Sequence, residues 1–224
     1  MVIKMKELSQ QIIRFNHEKN LKDNDFYVSK SNESIFNLLN DWPRWEKKFL
    51  NISGEKYSGK THLINIFLKK FDGLKIDTNL LNNECLKNVK IYQNIVLENL
   101  DISANEKLVY SLFNLIDQDN KYLIITSRIP VVDMDFKLLD LKSRLKNFLL
   151  YNVEQPDDEL IYALIMKNLS DRQIVLSEKL ILFLIKRIDR SYGKIFDFIY
   201  KIDELSLKKK KSIDLKIIKE VLGE

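Results

Sequence analysis

The eight residues Gly54-Glu55-Lys56-Tyr57-Ser58-Gly59-Lys60-Thr61 constrain this chain more than any other stretch. They fit a pattern of Gly, four residues, Gly, Lys and Thr, in which the glycines let the backbone turn tightly and its amides surround a phosphate at the start of the next helix. In that arrangement Lys60 neutralises the β and γ phosphates and Thr61 holds Mg²⁺. The pattern carries weight only between a strand and a helix, and both are predicted. Phe49-Leu50-Asn51-Ile52 reads as a strand running into Gly54, and Leu63, Ile66, Phe67 and Lys70 recur afterwards at helical spacing. The chain has five glycines, and two of them fall in this loop, which argues against a chance turn. Gly54, Ser58, Gly59, Lys60 and Thr61 are therefore the first candidate nucleotide contacts. Tyr57 stands where many such loops carry another glycine, so binding is favoured over efficient turnover.

Further short apolar runs lie at Leu74 to Ile76, Asn94 to Leu97, Tyr122 to Ile125 and Phe148 to Tyr151, separated by helical stretches such as Glu106 to Ile116. Runs without polar alternation suit parallel strands buried on both faces, and their order is that of a doubly wound α/β sheet. Ahead of them, Ile35, Leu38 and Leu39 mark a helix that Asp41-Trp42-Pro43 ends, because a proline ring clashes with a continuing helix. Beyond Pro156 the apolar positions follow helical spacing to the end, as at Leu160, Ile161, Leu164 and Ile165. The expected organisation is a polar tail over 1–25, an α/β nucleotide-binding domain over 26–155 and a small all-helical domain over 156–224.

A phosphate loop of this kind also needs an acid at the end of a neighbouring strand to organise Mg²⁺ and water. Glu98 ends the run Ile95-Val96-Leu97 and is the candidate, against the alternative of an ordinary acidic loop residue. Asn99 follows where a second acid would polarise the attacking water, and an amide cannot act as a general base. Thr126 and Ser127 end the run Leu123-Ile124-Ile125. Strand ends on the carboxyl edge face the ligand, so either hydroxyl could sense the γ phosphate, although both residues also serve as caps and turns. Arg144, in Asp140-Leu141-Lys142-Ser143-Arg144-Leu145, is either a surface salt-bridge arginine or one that reaches a neighbouring subunit's nucleotide.

The formal charge is +5, but the basic residues are spread along the chain, so charge alone does not argue for nucleic-acid binding. The dense run Lys208 to Lys211 reads as a solvated turn between two C-terminal helices, with phosphate binding as the alternative. One cysteine, Cys85, and two histidines, His17 and His62, cannot build a metal-ligand cluster of the usual spacing or an internal disulfide. The N-terminus lacks the apolar stretch of a signal peptide, and no run of about 18 apolar residues occurs. A cytoplasmic protein is expected.

The segments FYVSKSN (26–32), WPRW (42–45), GEKYSGKTHL (54–63), LENLD (97–101), ITSRIP (125–130), DLKSRL (140–145) and QPDDELIYALIMK (155–167) together resemble the AAA+ domain of the replication initiator DnaA, from about Phe26 to the C-terminus. The acid, Asn, apolar, acid order of LENLD and the end of the chain after the helical lid resemble the shorter Hda family, the regulatory inactivators of DnaA. This resemblance implies an AAA+ P-loop sheet followed by a helical lid, with ADP or ATP and Mg²⁺ as cofactors. It raises Arg144 to an arginine finger acting in trans on DnaA-bound ATP. It further implies docking on the DNA polymerase sliding clamp through an N-terminal segment of the type QLxLPL or QLxLxL, whose counterpart here is Gln10 or Gln11 with Ile12, Ile13 and Phe15; Arg14 falls among the apolar positions and the register stays open. DNA contact is then indirect, and self-association is left open. The family's lid arginine falls on Gly193, so Lys194 or Arg190 is expected to substitute. The rival reading is a DNA-stimulated AAA+ ATPase of helicase-loader or transposition-helper type; a small P-loop kinase has no place for a lid of four helical elements.

Overall fold

Each apolar run becomes a strand, and the three central ones are covered on both sides. The computed structural model describes residues 26–224. Among these, strands β1 (Phe49–Ser53), β2 (Leu74–Asp77), β3 (Asn94–Leu100), β4 (Tyr122–Ser127) and β5 (Leu149–Asn152) form one sheet in the order β2-β3-β4-β1-β5. Every pairing is parallel, so the carboxyl ends of β1, β3 and β4 share one edge. From β1 the chain crosses to the far edge at β2, returns through β3 and β4, and skips past β1 to β5. That change of direction opens a crevice at the carboxyl end of β1 and β4.

Alternate side chains of the strands feed two cores. On one face Leu50, Ile52, Val96 and Ile124 pack against Leu63, Ile64 and Phe67 of α2 (Lys60–Phe71) and against Ile35 and Leu39 of α1 (Glu33–Asn40). On the other, Ile95, Leu97, Leu123 and Ile125 meet Val109, Leu112, Phe113 and Ile116 of α4 (Glu106–Gln118), with Leu141 and Leu145 of α5 (Leu139–Leu145) beside them. Helix α3 (Asn83–Asn88) was not signalled by periodicity: it is six residues long and buries none of them fully. The Asn82 side chain starts it by accepting the backbone N–H groups of Glu84 and Cys85.

The C-terminal part is a helical domain of α6 (Asp158–Asp171), α7 (Glu178–Ile185), α8 (Tyr192–Lys209) and α9 (Leu215–Leu222). Asp157, Ser191 and Asp214 cap α6, α8 and α9 through their side-chain oxygens, each such cap being worth about 1 kcal/mol. The domain has its own core, with Ile161, Ile165, Leu184, Ile199, Ile202 and Ile218 almost fully buried. Leu160 and Tyr192 instead join the core on the α2 face of the sheet, and the Asp157 carboxylate accepts the Ser31 N–H at 3.1 Å. The lid is thereby seated on the sheet domain. The Lys208 to Lys211 run is the exposed end of α8 and its turn, where Lys208 pairs with Glu204 and Lys209 with Glu220. No helix among the described residues is long and apolar enough to cross a membrane.

Candidate nucleotide site

The loop between β1 and α2 turns through residues whose backbone is left-handed. Gly59 caps α2 at φ 85°, a conformation that costs a side-chain-bearing residue roughly 1–2 kcal/mol. Tyr57 adopts φ 72° without being glycine. Its ring stacks on Phe196 of α8 with centroids 4.6 Å apart and planes 14° from parallel, and such a pair contributes about 0.5–1.5 kcal/mol, enough to offset most of the strain. The Lys60 ammonium is folded back into the loop, donating to the carbonyls of Gly54 at 2.7 Å and Glu55 at 2.8 Å and to Ser58 Oγ at 3.2 Å. Burial, and then the nearby charge of Arg128, lower its pKa to about 8, against a smaller opposing pull from Glu55.

The loop borders a cavity of about 630 Å³, a volume suited to a ligand of nucleotide size. Its lining includes the aromatic and aliphatic side chains of Phe26, Tyr27, Leu160, Leu164, Tyr192 and Ile195 and the polar or charged ones of Lys60, Thr61, Asn99, Asp101, Ser127, Arg128 and Lys167. A ligand that carries both an apolar ring and negative charge matches this lining.

The remaining candidates fall in different places. Ser58 and Gly59 line the cavity, whereas Gly54 lies behind it, its N–H donating to the Ser127 carbonyl at 3.2 Å. Thr126 is buried and accepts the Asn99 N–H at 3.0 Å. Ser127 lines the cavity, but its hydroxyl donates to the Ile129 carbonyl at 2.6 Å and accepts from the Asn51 amide at 2.9 Å. The Thr126 hydroxyl thus ties the end of β4 to β3, and the Ser127 hydroxyl ties it to β1. Glu98 is buried on the α2 face, with Oε2 3.5 Å from the Lys75 ammonium, which itself donates to Asn65 of α2. Its Oε1 is buried without a partner among the described residues. The Asn99 amide donates to Asp77 at 2.7 Å. Lys194 stands apart from the cavity lining, 3.3 Å from Asp189, and Arg190 pairs with Asp158 at 2.7 Å. Lys194 and Arg190 are thus each engaged by an exposed carboxylate outside the cavity lining, whereas Lys167 of α6 lines the cavity. Arg144, on α5, also lies outside the cavity lining; its guanidinium is 3.4 Å from Asp117 and 5.4 Å from the Tyr110 ring centroid. Gln10, Gln11, Ile12, Ile13 and Phe15 lie outside the described residues.

Residues 157–222 match the family model described as Hda, lid domain. In fold the whole chain is similar to domain III of the Thermotoga maritima replication initiation protein DnaA, with TM-score 0.72, 19% identity, and 92% of this chain and 97% of that one covered. The C-terminal helical domain is thus Hda-like, and the fold of the chain is that of DnaA domain III. The chain is also similar to AMPPCP-bound DnaA from Aquifex aeolicus, with TM-score 0.65 and 18% identity over 86% of this chain and 66% of that one. The RuvB Holliday junction branch migration motor of Thermotoga maritima gives 0.61 and 12% over 88% and 69%. An uncharacterised protein of Haemophilus influenzae is 26% identical over 200 residues, which is 80% of this chain and 83% of that one.

Two residues of the chain escaped the sequence reading. Glu55 sends its carboxylate into the first turn of α8, accepting the Ser191 hydroxyl at 2.5 Å and the N–H groups of Tyr192 and Gly193, each at 3.1 Å. A helix start is a natural seat for a carboxylate, but nothing in the loop motif says that this helix will lie above it. Arg128 directly follows β4, and the only available signal was its place one residue beyond the strand end that faces the ligand.

Proposed function

We propose that this chain binds an adenine nucleotide and regulates replication initiation by presenting Arg144 to ATP held by DnaA, accelerating that hydrolysis while docked on the DNA-loaded sliding clamp. The observation that carries this reading is the separation of Arg144 from the chain's own cavity. An arginine held, among the described residues, by an exposed carboxylate and a ring face is available to a second molecule, where a finger of this kind accelerates phosphoryl transfer by about 10³–10⁵. The chain's own site is poorly equipped for turnover, since the Asn99 amide, tied to Asp77, supplies no base.

The residues present fit the nucleotide. The start of α2 offers backbone N–H groups to phosphate, Lys60 and Arg128 face the same space, and Tyr27, Leu164 and Tyr192 suit an adenine ring. Mg²⁺ would be held from Thr61 on the cavity wall with Glu98 behind it, whose buried Oε1 lacks a partner among the described residues; the ion would neutralise charge between the phosphates. The polar tail, with Gln10 or Gln11, Ile12, Ile13 and Phe15, is the proposed clamp-docking segment.

The test is a reconstituted measurement of DnaA-bound ATP hydrolysis with clamp loaded on DNA, using wild type and Arg144→Ala. Acceleration by wild type and its loss in the variant support the reading. Equal acceleration by both removes Arg144 from the role. Absence of acceleration together with DNA-stimulated turnover by the chain alone, abolished in Lys60→Ala, replaces the reading with that of a DNA-stimulated ATPase.

A further inference from the structure

We propose that Arg128 is a second phosphate-binding cation, so that the phosphates of a nucleoside di- or triphosphate are held from the sheet side, between Lys60 and Arg128. The inference rests on the nucleotide reading of the cavity. Four observations carry it.

The backbone that bears Arg128 is pinned on both sides. Gly54 of the phosphate loop donates to the Ser127 carbonyl, Ser127 Oγ closes onto the Ile129 carbonyl, and the Val131 N–H donates to the buried Asn51 side chain at 3.0 Å. The root of the side chain is therefore fixed relative to the loop. Its guanidinium lines the cavity and is exposed, and it forms no ion pair or hydrogen bond with any described residue.

Arg128 and Lys60 face one space as like charges, and the Arg128 charge adds to burial, the larger cause, in lowering the Lys60 pKa. Asp101, which also lines the cavity, feels the Arg128 charge only weakly, its carboxylate being stabilised chiefly by the hydroxyl and N–H of Ser103. Two cations kept together without a bridging carboxylate are stabilised by an anion that spans them, and a chain of phosphates has the length and charge to do so. A guanidinium adds two parallel N–H donors to phosphate oxygens.

The start of α8 offers no equivalent, and the lid cation on the cavity lining is Lys167 of α6. The first-turn amides of α8 are taken by Glu55, Lys194 is drawn to Asp189 and Arg190 to Asp158.

The test is equilibrium titration of the full chain with ADP, ATP, adenosine and tripolyphosphate, for wild type, Arg128→Ala and Arg128→Lys, with the melting temperature of each ligand-free protein. We expect Arg128→Ala to weaken ADP and ATP by about tenfold or more, to leave adenosine and the melting temperature unchanged, and Arg128→Lys to recover part of the loss. ADP and ATP bound equally by wild type and Arg128→Ala would overturn the proposal while the nucleotide reading stands, as would an equal loss for adenosine, which places the effect on cavity shape. Tripolyphosphate bound in an Arg128-dependent way by a chain that ignores adenine nucleotides would overturn the nucleotide reading and keep Arg128. No binding of either by wild type overturns both.

Discussion

Glu55 of the phosphate loop accepts the backbone N–H of Gly193 at 3.1 Å, across 138 residues of chain. A Cβ on Gly193 would lie 3.0 Å from the same carboxylate oxygen, so the contact depends on the absence of a side chain there. The loop that should hold phosphate is thereby fastened to the helix that covers it. Glu55→Ala should lower stability by about 1 kcal/mol and speed amide exchange at Tyr192 and Gly193 well beyond that at Ile202. Hydrogen exchange with chemical unfolding checks this, and unaltered protection of the first turn of α8 would remove the fastening role.

Tyr57 combines backbone strain with a ring contact, and the two can be separated. Tyr57→Ala keeps the left-handed strain and loses the stack on Phe196, whereas Tyr57→Gly loses both. The alanine variant should therefore be the less stable of the two, by about 1 kcal/mol. Urea unfolding of both variants measures the order, and a reversed order would mean that the strain is not borne by this residue.

Lys60 gives the site a pH dependence. Its ammonium, held near pKa 8 by burial and by Arg128 with Glu55 opposing, is needed to meet phosphate. Below pH 8 the proton is already present, so affinity for ADP should be level. Above it, binding must take up a proton, and affinity should fall by up to about tenfold per pH unit until the pKa of the bound state is passed. Lys60→Arg should flatten the fall, since a guanidinium stays charged. Titrations on either side of pH 8 decide it; a wild-type profile as flat as that of the arginine variant counts against the assignment.

Arg144 should behave as a residue with no business in its own site. Its pair with Asp117 spans 3.4 Å at an exposed surface, a kind of contact worth about 0–1 kcal/mol. Arg144→Ala should leave the affinity of this chain for ADP unchanged and its unfolding free energy within that range. A marked loss of ADP affinity would tie Arg144 to the chain's own cavity.

Much of this was legible before the fold was known. The strand, loop and helix around Gly54 to Thr61 follow from short-range rules: the left-handed turn at Gly59 admits few residues, and Leu63 and Phe67 fall on one helical face. The four lid helices were legible for the same reason, their apolar spacing being sustained through Ile161, Ile165, Ile199 and Ile202. Short α3 was not, because six residues with no fully buried side chain leave no period to read. Thr126 and Ser127 show where spacing misleads: a hydroxyl at a strand end looks free in sequence, yet both are engaged by backbone or side-chain groups of neighbouring strands.

Backbone sterics and apolar periodicity act over a few neighbouring residues, and they suffice to specify the phosphate loop, the parallel strands and the helical lid. Long-range packing set the rest: Glu55 enters the start of α8, Arg128 lines the same cavity as Lys60, Lys194 turns to Asp189 and Arg144 lies outside the cavity lining. Those destinations are set by how the lid packs on the sheet through Leu160 and Tyr192 and by which charges then come within a few ångströms, and no local pattern records either.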